Sequence, residues 1–182
     1  MKFTELALPG VWLIDAEPFA DERGVFRRHF CADEFAAHGI APTVAQGNIS
    51  ENPVAGTLRG FHFQTPPHEE PKTLSCLAGG VYDIVVDLRR DSPTFLKWAA
   101  CEFSASNRRS LHVPAGCANA WLTTEPNTLV HYYMGAMFAP GFDRGIRYDD
   151  PLFGFQWPSA PVMMSDKDRA YPDFDPASLE PA

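Results

Sequence analysis

The chain has 182 residues, 45% of them hydrophobic, enough for one domain with a sizeable core, and residues 1–182 are expected to form that single domain. A formal charge of −8 excludes a general nucleic-acid binder, since an acidic surface repels backbone phosphates, yet a few local cations still suffice for a small phosphorylated ligand. No run approaches the ~18 apolar residues of a membrane span, and Met1 to Leu13, broken by Glu5 and Pro9, makes no secretion signal, so a cytoplasmic protein without membrane contact is expected.

In chain order, the first clear element is a short helix over Ala32 to His38, stopped by Gly39. Strand signals dominate from Gly56 onward. They cover Leu58–Gln64, Thr73–Ala78, Phe95–Phe103, Ala118–Thr123 and Leu129–Phe138, separated by Pro, Gly, Asn or Ser clusters. Between them Tyr82, Ile84, Val86 and Leu88 alternate with Asp83 and Asp87, which face the other way, and Gly79-Gly80 supplies the preceding turn. The tail from Pro158, rich in Pro, Asp and Ser, is expected to pack over the body rather than add strands. With 17 prolines, 14 phenylalanines and few helical stretches, this pattern predicts an all-β, double-sheet antiparallel jelly roll with a few short helices.

The densest polar cluster in strand-like sequence is Arg59-Gly60-Phe61-His62-Phe63-Gln64. Alternation sets His62 with Gly60 and Gln64 on one face and Arg59 with Phe61 and Phe63 on the other. If Arg59 and His62 share a site, the strand must twist or bulge, or Arg59 must stand at its rim. A strand histidine alone is more often structural than catalytic. Lys72 read alone is a solvated lysine opening a strand, and Ser165-Asp166-Lys167-Asp168 a solvent-facing turn. Tyr132 and Tyr133 must face opposite ways, one towards the core and one free to line a cavity. Metal binding needs three or four converging ligands. Gln64 stands where a second histidine would complete His-x-His, and His68, His112 and His131 are scattered, so no metal is expected. Cys31, Cys76, Cys101 and Cys117 form no CxxC pair and are expected as reduced thiols.

Taken together, Asp21-Glu22-Arg23-Gly24-Val25-Phe26, Gln46-Gly47-Asn48-Ile49-Ser50, Leu58 to Gln64, Lys72, Asp87-Leu88-Arg89, Ser92-Pro93-Thr94, Pro114-Ala115-Gly116, Asp149-Asp150-Pro151, Trp157-Pro158 and Ser165 to Asp168 resemble the dTDP-4-dehydrorhamnose 3,5-epimerase (RmlC-like) family. The resemblance runs from about Asp21 to Asp168. It implies a homodimeric cupin-type jelly roll without metal or organic cofactor. It also implies an isomerase that inverts carbon 3, carbon 5 or both in a nucleotide-linked 4-keto-6-deoxyhexose, with dTDP the default carrier. By the same resemblance His62 is the base, oriented by Asp168, Tyr132 the acid on the opposite face, and Lys72 the cation beside the enolate oxygen. Arg23 and Phe26 match positions near the nucleotide base. Gln46, Asn48 and Arg59 match diphosphate contacts, and Ser165 and Lys167 the closing turn.

Three positions depart from the family pattern. Asn119 stands where a histidine is usual, Phe138 where a tyrosine is common, and Arg28 where a glutamate is common. These changes leave the catalytic set intact and bear on which carbon is inverted and which nucleotide is carried. Three rival readings stand beside this one: an epimerase that acts at a single carbon or on a GDP- or CDP-linked sugar, a sugar-nucleotide-binding module without turnover, and a metal-dependent cupin.

Overall fold

The computed structural model describes residues 1–179, so the last three positions of the expected domain lie outside the description. In chain order its elements are β1 (Lys2–Glu5), β2 (Trp12–Asp15), β3 (Phe19–Asp21), β4 (Gly24–Phe26), α1 (Ala32–Ala37), β5 (Gln46–Asn52), β6 (Leu58–Gln64) and β7 (Lys72–Ala78). These are followed by β8 (Gly80–Asp87), β9 (Trp98–Ser104), β10 (Arg109–Val113), β11 (Cys117–Thr123), β12 (Thr128–Met134), β13 (Asp143–Gly145) and α2 (Asp166–Arg169). Six strands form one sheet in the order β1-β2-β10-β7-β12-β5, and five form a second in the order β13-β6-β11-β8-β9. Strands β3 and β4 make a separate two-stranded ribbon. Every strand pairing is antiparallel, and the fold is the cupin jelly roll.

The two sheets close on a core of Leu74, Cys76, Val81, Val85, Phe103, Leu111 and Val130. Alternation along β8 sends Val81, Asp83, Val85 and Asp87 into this interior and Ile84 and Val86 to the outer face. That outer face is covered as well. Phe153, Phe155 and Trp157 lie against Phe61, Ile84 and Ala120, and Phe174 and Leu179 join the same cluster, so the tail from Pro158 packs over the body as expected. Asp83 and Asp87 are therefore both fully buried, each with specific partners. Helix α1 closes the far side of the six-stranded sheet through Phe35 against Ile14 and Ile40.

Two predicted strands were drawn too long. Phe95 to Lys97 is a turn closed by Phe95 N–H to Ser92 and Lys97 N–H to Thr94, and the strand starts at Trp98. The strand drawn to Phe138 stops at Met134, where Gly135 leaves the sheet. Strands β1 to β5, β10 and β13 were not anticipated.

Candidate active site

The site begins with a break in the strand pairing of β6. Along β11, Asn119 faces His62 and Trp121 faces Arg59, so two residues of β6, Gly60 and Phe61, stand opposite the single Ala120. This bulge puts Arg59 and His62 on the same side of the strand, the condition the sequence posed for a shared site. It needs glycine at position 60. The residue has φ +112°, and an added Cβ would lie 2.5 Å from the Asn119 carbonyl oxygen and 2.8 Å from the Ala120 Cα.

His62 Nε2 meets Asp168 Oδ1 at 2.7 Å. Asp168 is buried beneath the imidazole, not solvent-facing as its charged turn suggested on its own. The Ser165 hydroxyl accepts the Asp168 N–H at 3.0 Å and caps α2, which fixes the carboxylate in place. Burial would raise the Asp168 carboxyl, but hydrogen bonds from His62, the Gly60 N–H and the Ser165 turn hold it below the usual carboxylate range.

A cavity of about 210 Å³ opens beside this pair, lined from one sheet by His62, Gln64, Asn119 and Trp121 and from the other by Lys72, Tyr132 and Met134. Phe138 and Lys167 stand at its wall. Of Tyr132 and Tyr133, it is Tyr132 that enters the cavity, its ring 6.0 Å from that of Trp121. Burial raises the Tyr132 hydroxyl, with Arg59 opposing and Glu70 reinforcing, so it is a protonated donor near neutrality. Lys72 is not a solvated strand end. Its side chain is 11% exposed, and its Nζ lies 3.1 Å from the His62 carbonyl oxygen and 3.1 Å from Glu70 Oε1.

Not all the expected site residues line this cavity. Arg59 reaches back to Asn52 Oδ1 at 2.7 Å, on β6 next to the cavity. Gln46 and Asn48 sit on β5 beside Met134 and Tyr132, Gln46 accepting the Phe138 N–H and Asn48 bonding the Met134 sulfur. Ser165 spends its hydroxyl as the cap, and Lys167 pairs with Asp143 at 2.6 Å. Arg23 and Phe26 lie on the β3–β4 ribbon, 84% and 73% exposed, and neither borders the His62 cavity of its own chain. The ribbon pairs with neither sheet, so within one chain it holds them outside. Arg28 pairs with Glu34 on the surface.

Sequence reasoning missed Glu70, Trp121, Asp143, Arg144 and Tyr171 among the lining residues. It also missed Asp83, whose carboxylate accepts the Asn119 amide at 3.0 Å from behind the cavity wall. Burial pushes the Asp83 carboxyl well up, against Asn119 and Lys72. Tyr171 lies across Gly145, where an added Cβ would sit 2.1 Å from its ring, and Gly145 is the register partner of His62. A signal for Gly145 was present in sequence only as a glycine; nothing pointed to Tyr171.

Among the described residues no three His, Cys, Asp or Glu side chains converge as metal ligands, and no helix is long and apolar enough to cross a membrane. All four cysteines are free.

The profile of the family described as dTDP-4-dehydrorhamnose 3,5-epimerase matches residues 5–176. A dTDP-4-dehydrorhamnose 3,5-epimerase of Sinorhizobium fredii is 36% identical over 94% of this chain and 89% of its own length. The crystal structure of the Bacillus anthracis 3,5-epimerase, with TDP and PPi bound, superposes with a TM-score of 0.91 at 35% identity, covering 95% of this chain and 99% of that one. A 3'-monoepimerase of Streptomyces bikiniensis, in complex with dTDP-quinovose, superposes with a TM-score of 0.85 at 30% identity, covering 92% of this chain and 85% of that one. With the profile matched over residues 5–176, and with His62 and Asp168 paired at the cavity, the chain belongs to the dTDP-4-dehydrorhamnose 3,5-epimerase family.

Proposed function

We propose that this chain epimerises a dTDP-linked 4-keto-6-deoxyhexose at the carbons flanking the ketone, carbon 3 and carbon 5. The observation that carries the reading is that His62, backed by Asp168, and Tyr132 enter one cavity from opposite sheets. Inversion requires that arrangement, because a proton returned to the face it left changes nothing. His62 removes the proton beside the ketone, and the electron pair moves onto the ketone oxygen as an enolate. A Lys72 ammonium has three N–H donors. Two meet the His62 carbonyl and Glu70, which leaves one for that oxygen. Tyr132 then delivers a proton to the opposite face, and Asp168 stabilises the imidazolium left behind. Arg59, Gln46 and Asn48 line up beside the cavity for the diphosphate, and Lys167 exchanges Asp143 for a phosphate or sugar oxygen.

A homodimer belongs to the same reading. Arg23 and Phe26 reach no nucleotide at their own chain's cavity, and the ribbon exposes Phe19, Val25 and Phe26, with Ile49 also exposed on β5. A second copy accounts for both. Light scattering is expected to give twice the chain mass, and a monomer would refute this part.

The test of the activity is turnover of dTDP-4-keto-6-deoxyglucose in D2O, with deuterium expected at carbons 3 and 5. No exchange at either refutes it. Exchange at one carbon supports the single-site alternative, which two features favour: Phe138 brings no hydroxyl to the cavity, and the Asn119 amide is spent on Asp83.

A further inference from the structure

Glu70 pairs with Lys72 but has no role of its own in the chemistry derived so far. Glu70 sits on the loop before β7, its side chain 4% exposed, with Oε1 3.1 Å from Lys72 Nζ. Its other oxygen, Oε2, is buried and accepts no hydrogen bond among the described residues. The carboxylate's charge is therefore committed to Lys72 and to the cavity it lines, and to no other partner. A buried ion pair is weak evidence for stability, because desolvating both charges offsets their attraction. Retaining one beside the reacting atoms calls for another reason.

We infer that Glu70 is a positioning residue of the reaction, holding the Lys72 ammonium against the enolate oxygen and keeping negative charge beside Tyr132. This rests on the epimerase reading above. Lys72 has a long, flexible stem, and the His62 carbonyl alone leaves it free to swing; a second, charged acceptor fixes its direction. The pair works only as the charge on the ketone oxygen develops, so its contribution falls on the transition state rather than on ground-state binding. Burial does most to raise the Tyr132 hydroxyl; Arg59 lowers it, and Glu70 adds to the rise. The other charged or titratable groups facing this corner are His62 on β6, Asp83 on β8, and Asp143, Arg144, Lys167 and Tyr171 at the wall.

The test uses the full chain and initial rates of deuterium incorporation from dTDP-4-keto-6-deoxyglucose, across the pH range. Glu70→Ala is expected to lower kcat by on the order of ten- to a hundredfold with KM changed far less. Because that variant leaves a buried ammonium unpaired and risks the fold, Glu70→Gln carries the decisive reading. It keeps an acceptor of the same shape and removes the charge, so the basic limb of kcat should move to lower pH with KM held within about twofold. A basic limb that stays in place in Glu70→Gln overturns the inference, even if Glu70→Ala is slow, because packing alone then explains Glu70. Wild-type protein that exchanges neither carbon would instead defeat the epimerase reading on which the inference stands.

Discussion

His112 shows how far burial governs single residues in this molecule. It is 5% exposed on β10, held by Thr73 at 2.9 Å, and burial pushes its imidazole down to about 4. The folded state resists protonating it while the unfolded chain accepts a proton near the ordinary value of 6.5. Its contribution is therefore complete above that value and is lost as the pH falls towards 4, an effect of about 3 kcal/mol. Asp83 acts with the opposite sign: its raised carboxyl contributes below the ordinary carboxylate range and the contribution is lost as the pH rises. Comparing wild type with His112→Gln in urea across pH 4 to 6.5 isolates the imidazole. The variant should lose less stability on acidification by about 3 kcal/mol. Parallel curves would contradict that account.

At the scale of the element, the bulge in β6 decides whether Arg59 and His62 can act together. Gly60→Ala places a methyl group against backbone of β11 that has nowhere to go, at a positive φ that side chains resist. A loss of about 3 kcal/mol is expected from denaturant midpoints, together with loss of turnover as the paired residues separate. A wild-type midpoint would mean that the bulge is not what holds them. The strands around this element were legible because each is long, inner and bounded by turn residues: Leu58–Gln64 and Ala118–Thr123 stand in the structure nearly as read. Strands β1 to β4 and β13 were not legible, since runs of three or four residues of mixed character, mostly partly or fully exposed, are too short to show a period. Strand β5 has an exposed polar face and reads as loop for the same reason.

For the whole molecule, the lesson is that local pattern fixes elements while the cavity is a product of their closure. His62, Lys72, Tyr132 and Asp168 were found through an ordered set of motifs, and closure brings His62, Lys72 and Tyr132 to one cavity with Asp168 behind the imidazole. Glu70, Asp83 and Tyr171 escaped notice because each reads as ordinary in its own segment. Asp83 is one alternating polar residue of a strand, Glu70 one of two adjacent glutamates, and Tyr171 part of a proline-rich tail that reaches the wall only by folding back over Gly145. Conversely, Arg23 and Phe26 belong to a motif whose place in one chain is solvent, which no reading of that motif alone would reveal. The acidic overall charge coexists with Arg59, Lys72 and Lys167 around a single cleft, the local exception that an anionic ligand requires.

The sharpest measurement follows label and configuration together in two variants turned over in D2O. In Tyr132→Phe, deuterium is predicted to enter beside the ketone while the sugar keeps its original configuration, because an imidazole working alone must return the hydron to the face it came from. In His62→Ala, neither label nor inversion is predicted. Inversion at the wild-type rate without the phenol, or label entering without the imidazole, would contradict a reaction carried out between the two sheets.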